Sequence, residues 1–452
     1  MFYNKIYIKI LFFIEIGCFM DKSKVINVGL IGFGTVGTGV VNLFSENKIE
    51  GIKLKTIVVK DIKKQRKVKF SNLTTDVNKV IDDPEIDIVV ELIGGYEPAK
   101  DYIIRAIKNG KHVVTANKAV ISEYGPEIFE LAKNHNVNVG FEAAVAGGIP
   151  IINPLLDQLS LGKITSIIGI LNGTTNFILT RMSEGMDYES ALKIAQEKGF
   201  AEKDPSFDVE GKDAAQKISI LASLAFGKWV KPNEVYCEGI TEITPIDIEY
   251  ARDLGYTIKL LATAKRTEEG SVDVRVHPAL IGESHSLAKV NDEFNAIHIQ
   301  GIPFDEYFNV GKGAGQGPTA FSVYYDIIKI AEMVINKTTR EIKINTKDIK
   351  IADQNKVITE GYLRLYLQHI PGSLYSILGV LFKHGWNVKN SIQRGDKKYE
   401  IKVNGIKCLP DIITHEPLPF GVIKDTLSEL SSLKTEKGKP VHGKPFYIRI
   451  ES

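Results

Sequence analysis

A glycine-rich turn between an apolar strand and a helix constrains this chain more than any other feature. Gly32, Gly34 and Gly37 have the spacing of a backbone that turns tightly, admits a pyrophosphate and packs a helix closely on a strand. Apolar residues fill most of the stretch 25–31 and recur at helical spacing after the turn. A helix from about Thr35 would present free N–H groups and its positive dipole end to the phosphates. The stretch therefore predicts a Rossmann-like dinucleotide-binding fold, with a ligand-free turn as the alternative.

Length and composition set the class of protein. A chain of 452 residues predicts about two to four domains, and its 44% hydrophobic and 25% charged residues are typical of a soluble globular protein. The formal net charge of +2 gives no argument for nucleic acid or an anionic membrane surface as a partner. The three cysteines, Cys18, Cys237 and Cys408, are far apart, so they support neither a disulfide framework nor a zinc site. We therefore expect a cytoplasmic protein.

The N-terminal 23 residues resemble a signal peptide only superficially. An apolar run, 10–14, follows two lysines, but Glu15 interrupts it, no small-residue cleavage site follows, and the run is far shorter than the roughly 20 residues of a membrane span. Met20 would make a normal start directly ahead of the first strand. We expect residues 1–23 to be an extension that is disordered or not native.

Two positions after predicted strands bear on the cofactor. The second strand ends in Lys60 and Asp61, where a basic group accommodates the 2′-phosphate of NADP and an acid accepts from the ribose hydroxyl of NAD. Lys60 and the basic run behind it favour NADP, and Asp61 favours NAD, while a solvated charged loop explains the outer lysines equally well. Lys118 follows the strand 111–115, at the edge of the sheet where ligands bind in such folds.

A glutamate and an acidic segment are the other candidates for a site. Glu142 precedes a glycine-containing loop whose carbonyls suit a hard cation, although from the residues alone an ordinary loop explains it better. Asp213 and Lys217 are four residues apart and share one face of a predicted helix. A surface ion pair is the alternative, but the apolar residues that follow Lys217 indicate a buried helix. A lysine oriented by an acid can move a hydroxyl proton.

The second half of the chain contains predicted helices, then a polar stretch, and then a segment of alternating strands and helices. Residues 246–261 read as a helix, and Gly315 lies in a second glycine-rich turn that opens an apolar helix to Val334. Residues 336–355 are polar and basic, as in a linker. The last hundred residues follow a β-α-β-β-α-β order, which is the ferredoxin-like arrangement.

Five stretches of the sequence together resemble one known family. They are GFGTVG (32–37), VVTANKA (113–119), EAAVAGGIPI (142–151), LNGTTN (171–176) and AEKDPSFDVEGKDAAQK (201–217). The chain resembles homoserine dehydrogenase with a C-terminal ACT domain. Since no kinase-like segment precedes the first strand, we expect the monofunctional type and not a fusion to aspartate kinase. The resemblance implies NAD(P)-dependent reduction of L-aspartate 4-semialdehyde to L-homoserine, an oxidoreductase reaction on a CH–OH group, in threonine and methionine biosynthesis.

The resemblance also implies domains. They are a Rossmann NAD(P)-binding domain at 24–150 completed by about 305–340, an α+β substrate-binding catalytic domain at 151–304 that includes the dimerisation region, a linker at 341–357 and a ferredoxin-like ACT domain at 358–452. Two readings of a different kind remain open, a dehydrogenase of another small hydroxy acid and a non-catalytic sensor of nucleotide and amino acid. A sensor has no need of a proton carrier such as Lys217.

Each matching residue takes a role from the resemblance. Lys217 would donate the proton to the aldehyde oxygen, Asp213 would shape the catalytic site, and Lys118 would stabilise the developing alkoxide. Glu202 would bind the amino acid and Asp208 would shape its site. The NADP(H) or NAD(H) cofactor would be held by Gly32, Phe33, Gly34, Thr35, Val36, Gly37, Lys60, Lys118 and Gly315, and a sodium or potassium ion by Glu142 and the backbone carbonyls of Val145, Gly147 and Ile149.

Regulation and assembly follow from the same resemblance. Many family members carry arginine where this chain has Lys60, so the NADP preference is the softer part of the cofactor prediction. Pro371, Gly372 and the residues after them resemble the first strand-helix turn of ACT domains, where small amino acids bind between paired domains. We therefore expect L-threonine as an effector and a homodimer or homotetramer, with no membrane and no nucleic acid as partners.

Overall fold

A computed structural model describes residues 25–47, 49–344, 349–368, 370–395, 399–435 and 438–451. The predicted N-terminal extension, Cys18 and Met20 lie outside these residues. The chain divides into two compact units: the first comprises Met1–Lys163, Ser219–Lys231 and Gly311–Lys347, and the second comprises Ile164–Ile218, Pro232–Val310 and Asp348–Ser452. The domain limits expected from the sequence stay predictions.

The bounds of the strands and helices are as follows, in chain order. The strands are β1 (Ile26–Ile31), β2 (Ile52–Val58), β3 (Leu73–Thr74), β4 (Ile88–Glu91), β5 (His112–Thr115), β6 (Val139–Gly140), β7 (Lys163–Ile170), β8 (Tyr236–Cys237), β9 (Tyr256–Arg266), β10 (Val272–Gly282), β11 (Phe294–Ile302), β12 (Asp305–Lys312), β13 (Ile358–Gln368), β14 (Val388–Gln393), β15 (Ile401–Val403), β16 (Ile406–Pro419) and β17 (Val441–Glu451). The helices are α1 (Thr35–Glu46), α2 (Asn78–Ile81), α3 (Ala99–Lys108), α4 (Lys118–Asn134), α5 (Ile152–Leu156), α6 (Gly173–Ser183), α7 (Tyr188–Glu197), α8 (Ser206–Val209), α9 (Lys212–Phe226), α10 (Pro245–Asp253), α11 (Gln316–Ile335), α12 (Ser373–Lys383) and α13 (Phe420–Ser432).

The first unit is built on a six-stranded parallel sheet with the order β3-β2-β1-β4-β5-β6. Its central strands are apolar nearly throughout because helices cover them, and α1 and α11 contribute to one core with β1, β2 and β4. Helix α1 approaches α11 closely: a Cβ on Gly39 would lie 2.6 Å from the Cβ of Ala320. The chain order and the strand order confirm the predicted Rossmann-like α/β fold.

The second unit is built on a mixed sheet of eleven strands. Nine of them follow the order β12-β11-β7-β9-β10-β17-β13-β16-β14, with β8 beside β10 and β15 beside β16. The C-terminal strands β17, β13, β16 and β14, with α12 and α13 packed on them, have the ferredoxin-like order that the sequence predicts. Strand β17 pairs parallel with β10, at Ala279↔Arg449, so this part continues the sheet of the preceding strands.

One predicted helix is wrong in its second half. Residues 246–261 were expected to be helical, but α10 ends at Asp253 and β9 begins at Tyr256. Gly255, at φ +79°, reverses the chain between them in a conformation that L side chains rarely adopt. The following residues, 258–264, are buried on both faces between β7 and β10, and such a run lacks the alternation that marks a half-exposed strand.

Among the residues that the structure describes, none of the helices is both long enough and apolar enough to cross a bilayer.

Candidate functional site

The turn between β1 and α1 has the close packing that its glycines predict. A Cβ on Gly37 would lie 2.3 Å from the carbonyl oxygen of Gly32, and one on Gly32 would lie 2.7 Å from the carbonyl oxygen of Leu92. Gly34, in contrast, has open space on the side where a Cβ would point, and it provides no side-chain cap for α1. The first N–H groups of α1 are therefore suited to an anion such as a pyrophosphate.

The remaining residues of this turn and the end of β2 lie in the same unit. Thr35 is exposed, whereas Phe33 and Val36 are half-buried. The guanidinium group of Arg66 lies over the Phe33 ring, with 5.3 Å between the Cζ atom and the ring centroid. Lys60 is exposed two residues after β2.

The Asp61 carboxylate is engaged in its own turn. Its Oδ1 accepts from the backbone N–H of Lys63 at 2.8 Å, and its backbone carbonyl accepts from the Arg66 side chain at 2.7 Å. A carboxylate has about four acceptor positions, so this single bond leaves Asp61 able to accept from a ribose hydroxyl as well.

A buried carboxylate that the sequence analysis missed organises two loops at the carboxyl edge of the parallel sheet. Glu91, fully buried at the end of β4, accepts from the backbone N–H groups of Ile93 and Gly94 and from the hydroxyl of Thr115. Thr115 in turn accepts from the N–H of Asn117, whose side chain caps α4. Lys118, the first residue of α4, is thereby held at this edge.

Gly147 packs against the turn that precedes α11. A Cβ on Gly147 would lie 2.5 Å from the carbonyl oxygen of Gly313, two residues before Gly315, the N-cap of α11. The carbonyl oxygen of Gly147 accepts from the hydroxyl of Ser322 at 2.7 Å. The loop predicted to hold a cation therefore packs directly against the second glycine-rich turn, within one unit.

The Glu142 carboxylate is fully occupied by N–H donors. One oxygen accepts from the backbone N–H groups of Ile151 and Ile152, at 2.6 and 2.8 Å, and the other accepts from the backbone and side chain of Asn153, at 2.8 and 2.6 Å. Asp326 lies beside it and accepts from the Glu142 backbone N–H at 2.8 Å. Burial, and secondarily the charge of Glu142, raise the pKa of Asp326 to about 7.

The second unit brings together the acid-base group that the sequence predicts. Lys217 Nζ donates to Asp213 Oδ2 at 2.6 Å and to the carbonyl oxygen of Leu171, just past β7, at 2.7 Å. The two side chains are only 11% and 8% exposed, so the pair is buried and the surface-pair alternative is wrong. An ammonium group has three N–H donors. Among the described residues, two of these donors have acceptors that fix their direction, Asp213 Oδ2 and the Leu171 carbonyl oxygen.

Asp208 joins this group through a residue that the sequence analysis did not single out. The side-chain amide of Asn172 donates to Asp208 Oδ1 at 2.7 Å and to Asp213 Oδ2 at 2.9 Å. Burial, then the charge of Asp213, raise the pKa of Asp208, while hydrogen bonds from Asn172 and Thr174 and the charge of Lys217 act in the opposite direction. In the sequence Asn172 is only one residue of the LNGTTN stretch (171–176), without a role of its own.

Glu202 lies apart from this group in the described contacts. It is exposed in the loop between α7 and α8, where its backbone carbonyl accepts from the side chain of Gln196 at 3.1 Å. An exposed carboxylate on a loop is accessible to an incoming ammonium group, but its predicted role stays a prediction.

Comparison with known proteins identifies the family. The profile of the homoserine dehydrogenase family matches residues 150–328, and the profile of the homoserine dehydrogenase NAD-binding domain matches residues 32–142. A homoserine dehydrogenase from Synechocystis sp. is 42% identical over 435 residues, which cover 92% of this chain and 98% of that relative.

Solved structures of homoserine dehydrogenases also resemble this chain. A homoserine dehydrogenase from Thiobacillus denitrificans has a TM-score of 0.85 at 36% identity, covering 95% of this chain and 99% of that chain. A hyperthermophilic archaeal homoserine dehydrogenase in complex with NADPH has a TM-score of 0.57 at 28% identity, covering 68% and 97%. The chain therefore belongs to the homoserine dehydrogenase family.

Proposed function

We propose that this dehydrogenase interconverts L-homoserine and L-aspartate 4-semialdehyde with Lys217 as the proton carrier. The observation that carries the proposal is the buried group of Lys217, Asp213 and Asp208, in which protein acceptors fix two N–H bonds of the ammonium group. A dehydrogenase needs such a proton carrier at the carbonyl oxygen, whereas a protein that only senses ligands does not.

A nicotinamide cofactor held by the first unit would supply the hydride chemistry, and the residues of this chain would bind, orient and protonate the substrate. Lys217 donates its third proton to the carbonyl oxygen, and Asp213 keeps the resulting amine oriented until a proton returns from solvent. Lys118, at the carboxyl edge of the parallel sheet, is the candidate from the first unit for stabilising negative charge on the substrate. Asp208 and Glu202 would hold the substrate's ammonium group, since carboxylates are its natural partners. In the oxidation of homoserine each proton transfer runs in reverse.

The residues of the first unit fit the cofactor. Gly32 and Gly37 pack too closely on neighbouring backbone to carry a Cβ, and a Cβ on Gly34 would project into the open space at the uncapped N-terminus of α1, where a pyrophosphate would bind. We propose NADP(H) as the preferred form, with NAD(H) as the weaker alternative. Support comes from the exposed Lys60 after β2 and from the NADPH bound by the archaeal relative.

A monovalent cation, sodium or potassium, also fits the loop after Glu142. Ala146 and Gly147 have φ of +55° and +52°, and the left-handed conformation of Ala146 costs about 1 to 3 kcal/mol, which the surrounding structure must offset. Because four donors already occupy the Glu142 carboxylate, we propose that the cation takes its ligands mainly from the carbonyls of Val145, Gly147 and Ile149. Exchanging sodium and potassium for tetramethylammonium at constant ionic strength should lower activity.

Regulation and assembly complete the proposal. The ferredoxin-like strand order and Gly372, in the left-handed region ahead of α12, support an ACT domain that takes L-threonine. Tyr375 and Phe382 are 83% and 84% exposed on one face of α12, and an exposed apolar face supports a homodimer or homotetramer. Threonine that changes neither activity nor subunit count, measured by light scattering, would contradict the first part. We also place this biosynthetic enzyme in the cytoplasm, where its thiols Cys237 and Cys408 would stay free.

The direct test of the proposed reaction is spectroscopic. Full-length protein with homoserine and oxidised NADP should develop the absorbance of the reduced nicotinamide, and aspartate 4-semialdehyde should reverse it. A chemically similar hydroxy acid without the amino group is the control. Reduction with that control and not with homoserine would assign a different substrate.

A further inference from the structure

One side chain joins the two carboxylates of the proposed substrate site. Both N–H bonds of the Asn172 amide are used: one reaches Asp208 Oδ1 at 2.7 Å, and the other reaches Asp213 Oδ2 at 2.9 Å. The two acids lie 36 and 41 residues further along the chain, at α8 and at the start of α9. Asn172 is 5% exposed, so water does not substitute for these bonds at its surface.

The direction of the amide is determined by its other end. Asn172 is the N-cap of α6, and its Oδ1 accepts from the Thr175 backbone N–H at 2.8 Å and from the Thr175 hydroxyl at 3.0 Å. A flipped amide would set its N–H groups against the Thr175 N–H and leave two carboxylates facing an oxygen. The hydrogen-bond network therefore permits one assignment, with the NH₂ group toward the acids.

Electrostatics explains why a bridge is needed. The groups that face Asp208 are Asp213 and Lys217 from α9, and Asn172 and Thr174 from the start of α6. Two neighbouring buried carboxylates repel each other, and a proton that binds one of them relieves the repulsion. The amide N–H groups offset this repulsion because they stabilise both carboxylates in the ionised form.

We propose that Asn172 is a positioning residue that keeps Asp208 ionised for the substrate's ammonium group and keeps Asp213 turned toward Lys217. The role rests on the proposed function, which places both acids at the substrate site. Asn172 does not touch the reacting atoms in this account; it acts through the two carboxylates.

Two substitutions distinguish the hydrogen bonds from Asn172 to the two carboxylates from its capping of helix α6. Serine and aspartate cap helices about as well as asparagine, so Asn172→Ser and Asn172→Asp keep the acceptor for α6 and lose the NH₂ donor. Asn172→Ser should move the acidic limb of the kcat/KM profile for homoserine up by about one pH unit and raise KM about tenfold at pH 7. Asn172→Asp adds a third carboxylate and should move the limb by about two units.

A matched control lies one turn further along the same helix. The buried Asn176 amide donates to the carbonyl oxygens of Val290 and Phe294, and not to a carboxylate. Asn176→Ser should lower thermal stability and leave the acidic limb at its wild-type position. If both Asn172 variants fail to fold, Thr175→Val removes the hydroxyl that orients the amide and should give a shift of about half a unit.

The possible outcomes test the proposed function and the positioning role of Asn172 separately. A wild-type protein that does not oxidise homoserine overturns the proposed function. An active wild type whose Asn172 variants, or Thr175→Val in their place, keep the wild-type acidic limb overturns the positioning role alone. The same shift in Asn176→Ser would also overturn it, because the effect would then follow loss of stability and not loss of the bridge.

Discussion

Replacing Lys217 by methionine tests the proton carrier with little change in side-chain length. The ammonium group is held at 2.6 Å from Asp213 and 2.7 Å from the Leu171 carbonyl oxygen, with its third N–H proposed to reach the substrate. A positioned general acid contributes about 10²- to 10⁴-fold in rate, which is about 2.7 to 5.5 kcal/mol of transition-state stabilisation. We expect kcat for semialdehyde reduction to fall by that factor.

Lys217→Met also lowers the free energy of unfolding, and this effect must be separated from the effect on turnover. Losing one partner of a buried ion pair costs about 3 to 5 kcal/mol. Asp213 keeps the Asn172 amide at 2.9 Å, so we expect the lower end of this range in denaturant unfolding. The double variant Lys217→Met with Asp213→Asn removes both charges of the pair and should recover much of the stability.

The double variant decides the interpretation. If Lys217 carries the proton, the double variant stays as slow as the single one although it is more stable. Its affinity for NADPH, from fluorescence titration, should stay within about twofold of wild type, since the proposed nucleotide residues belong to the other unit. Turnover that returns together with stability would refute the reasoning, because the lysine would then serve the fold and not the chemistry.

Other substitutions test the remaining parts of the account. Gly37→Ala puts a Cβ 2.3 Å from a carbonyl oxygen and should lower both stability and NADPH affinity, whereas Gly34→Ala meets open space and should lower the affinity alone, in calorimetric binding and thermal unfolding. Lys60→Gln should raise KM for NADPH about tenfold and leave KM for NADH nearly unchanged, in initial-rate assays. Glu142→Gln sets an NH₂ group against N–H donors and should cost about 2 to 4 kcal/mol in urea unfolding. Asp411→Asn should stabilise the protein by about 1 to 3 kcal/mol at pH 8 and by nothing at pH 3, measured by unfolding at each pH.

The sign of the Asp411 prediction follows from its burial. Burial raises the pKa of Asp411 to about 6 from the ordinary 3.8, and among the described residues its Oδ2 has no hydrogen-bond partner. The folded state therefore holds a proton that the unfolded state has lost between these pH values, so the free energy of unfolding falls as the pH rises from 3.8 to about 6. Asparagine removes this dependence. The prediction would be contradicted if, between pH 3.8 and about 6, the free energy of unfolding of the wild type rose by more than that of Asp411→Asn.

The parallel sheet and its glycine turn were predictable because the signals are local. The spacing of Gly32, Gly34 and Gly37 and the apolar runs of the strands act within a few residues, and the helix at Thr35 begins where the pattern places it. The pair of Asp213 and Lys217 was equally accessible, since helical spacing alone puts both on one face.

The rest depended on contacts between distant segments. Nothing local shows that Asn172 meets acids 36 and 41 residues away, or that Glu91 at the end of an apolar strand holds two later loops. Residues 256–261, at the start of β9, were predicted as helix because a strand buried on both faces has no alternation of apolar and polar residues. The pairing of β17 with β10 joins residues about 170 positions apart, so no sequence window contains it.

A crystal structure of the full chain with homoserine and an unreactive nicotinamide analogue would show directly which group contacts the substrate hydroxyl. We expect Lys217 Nζ within about 3 Å of the hydroxyl oxygen, and the carbon that carries this hydroxyl facing the nicotinamide ring. A substrate whose hydroxyl contacts another group, while this nitrogen keeps only its protein acceptors, would contradict it.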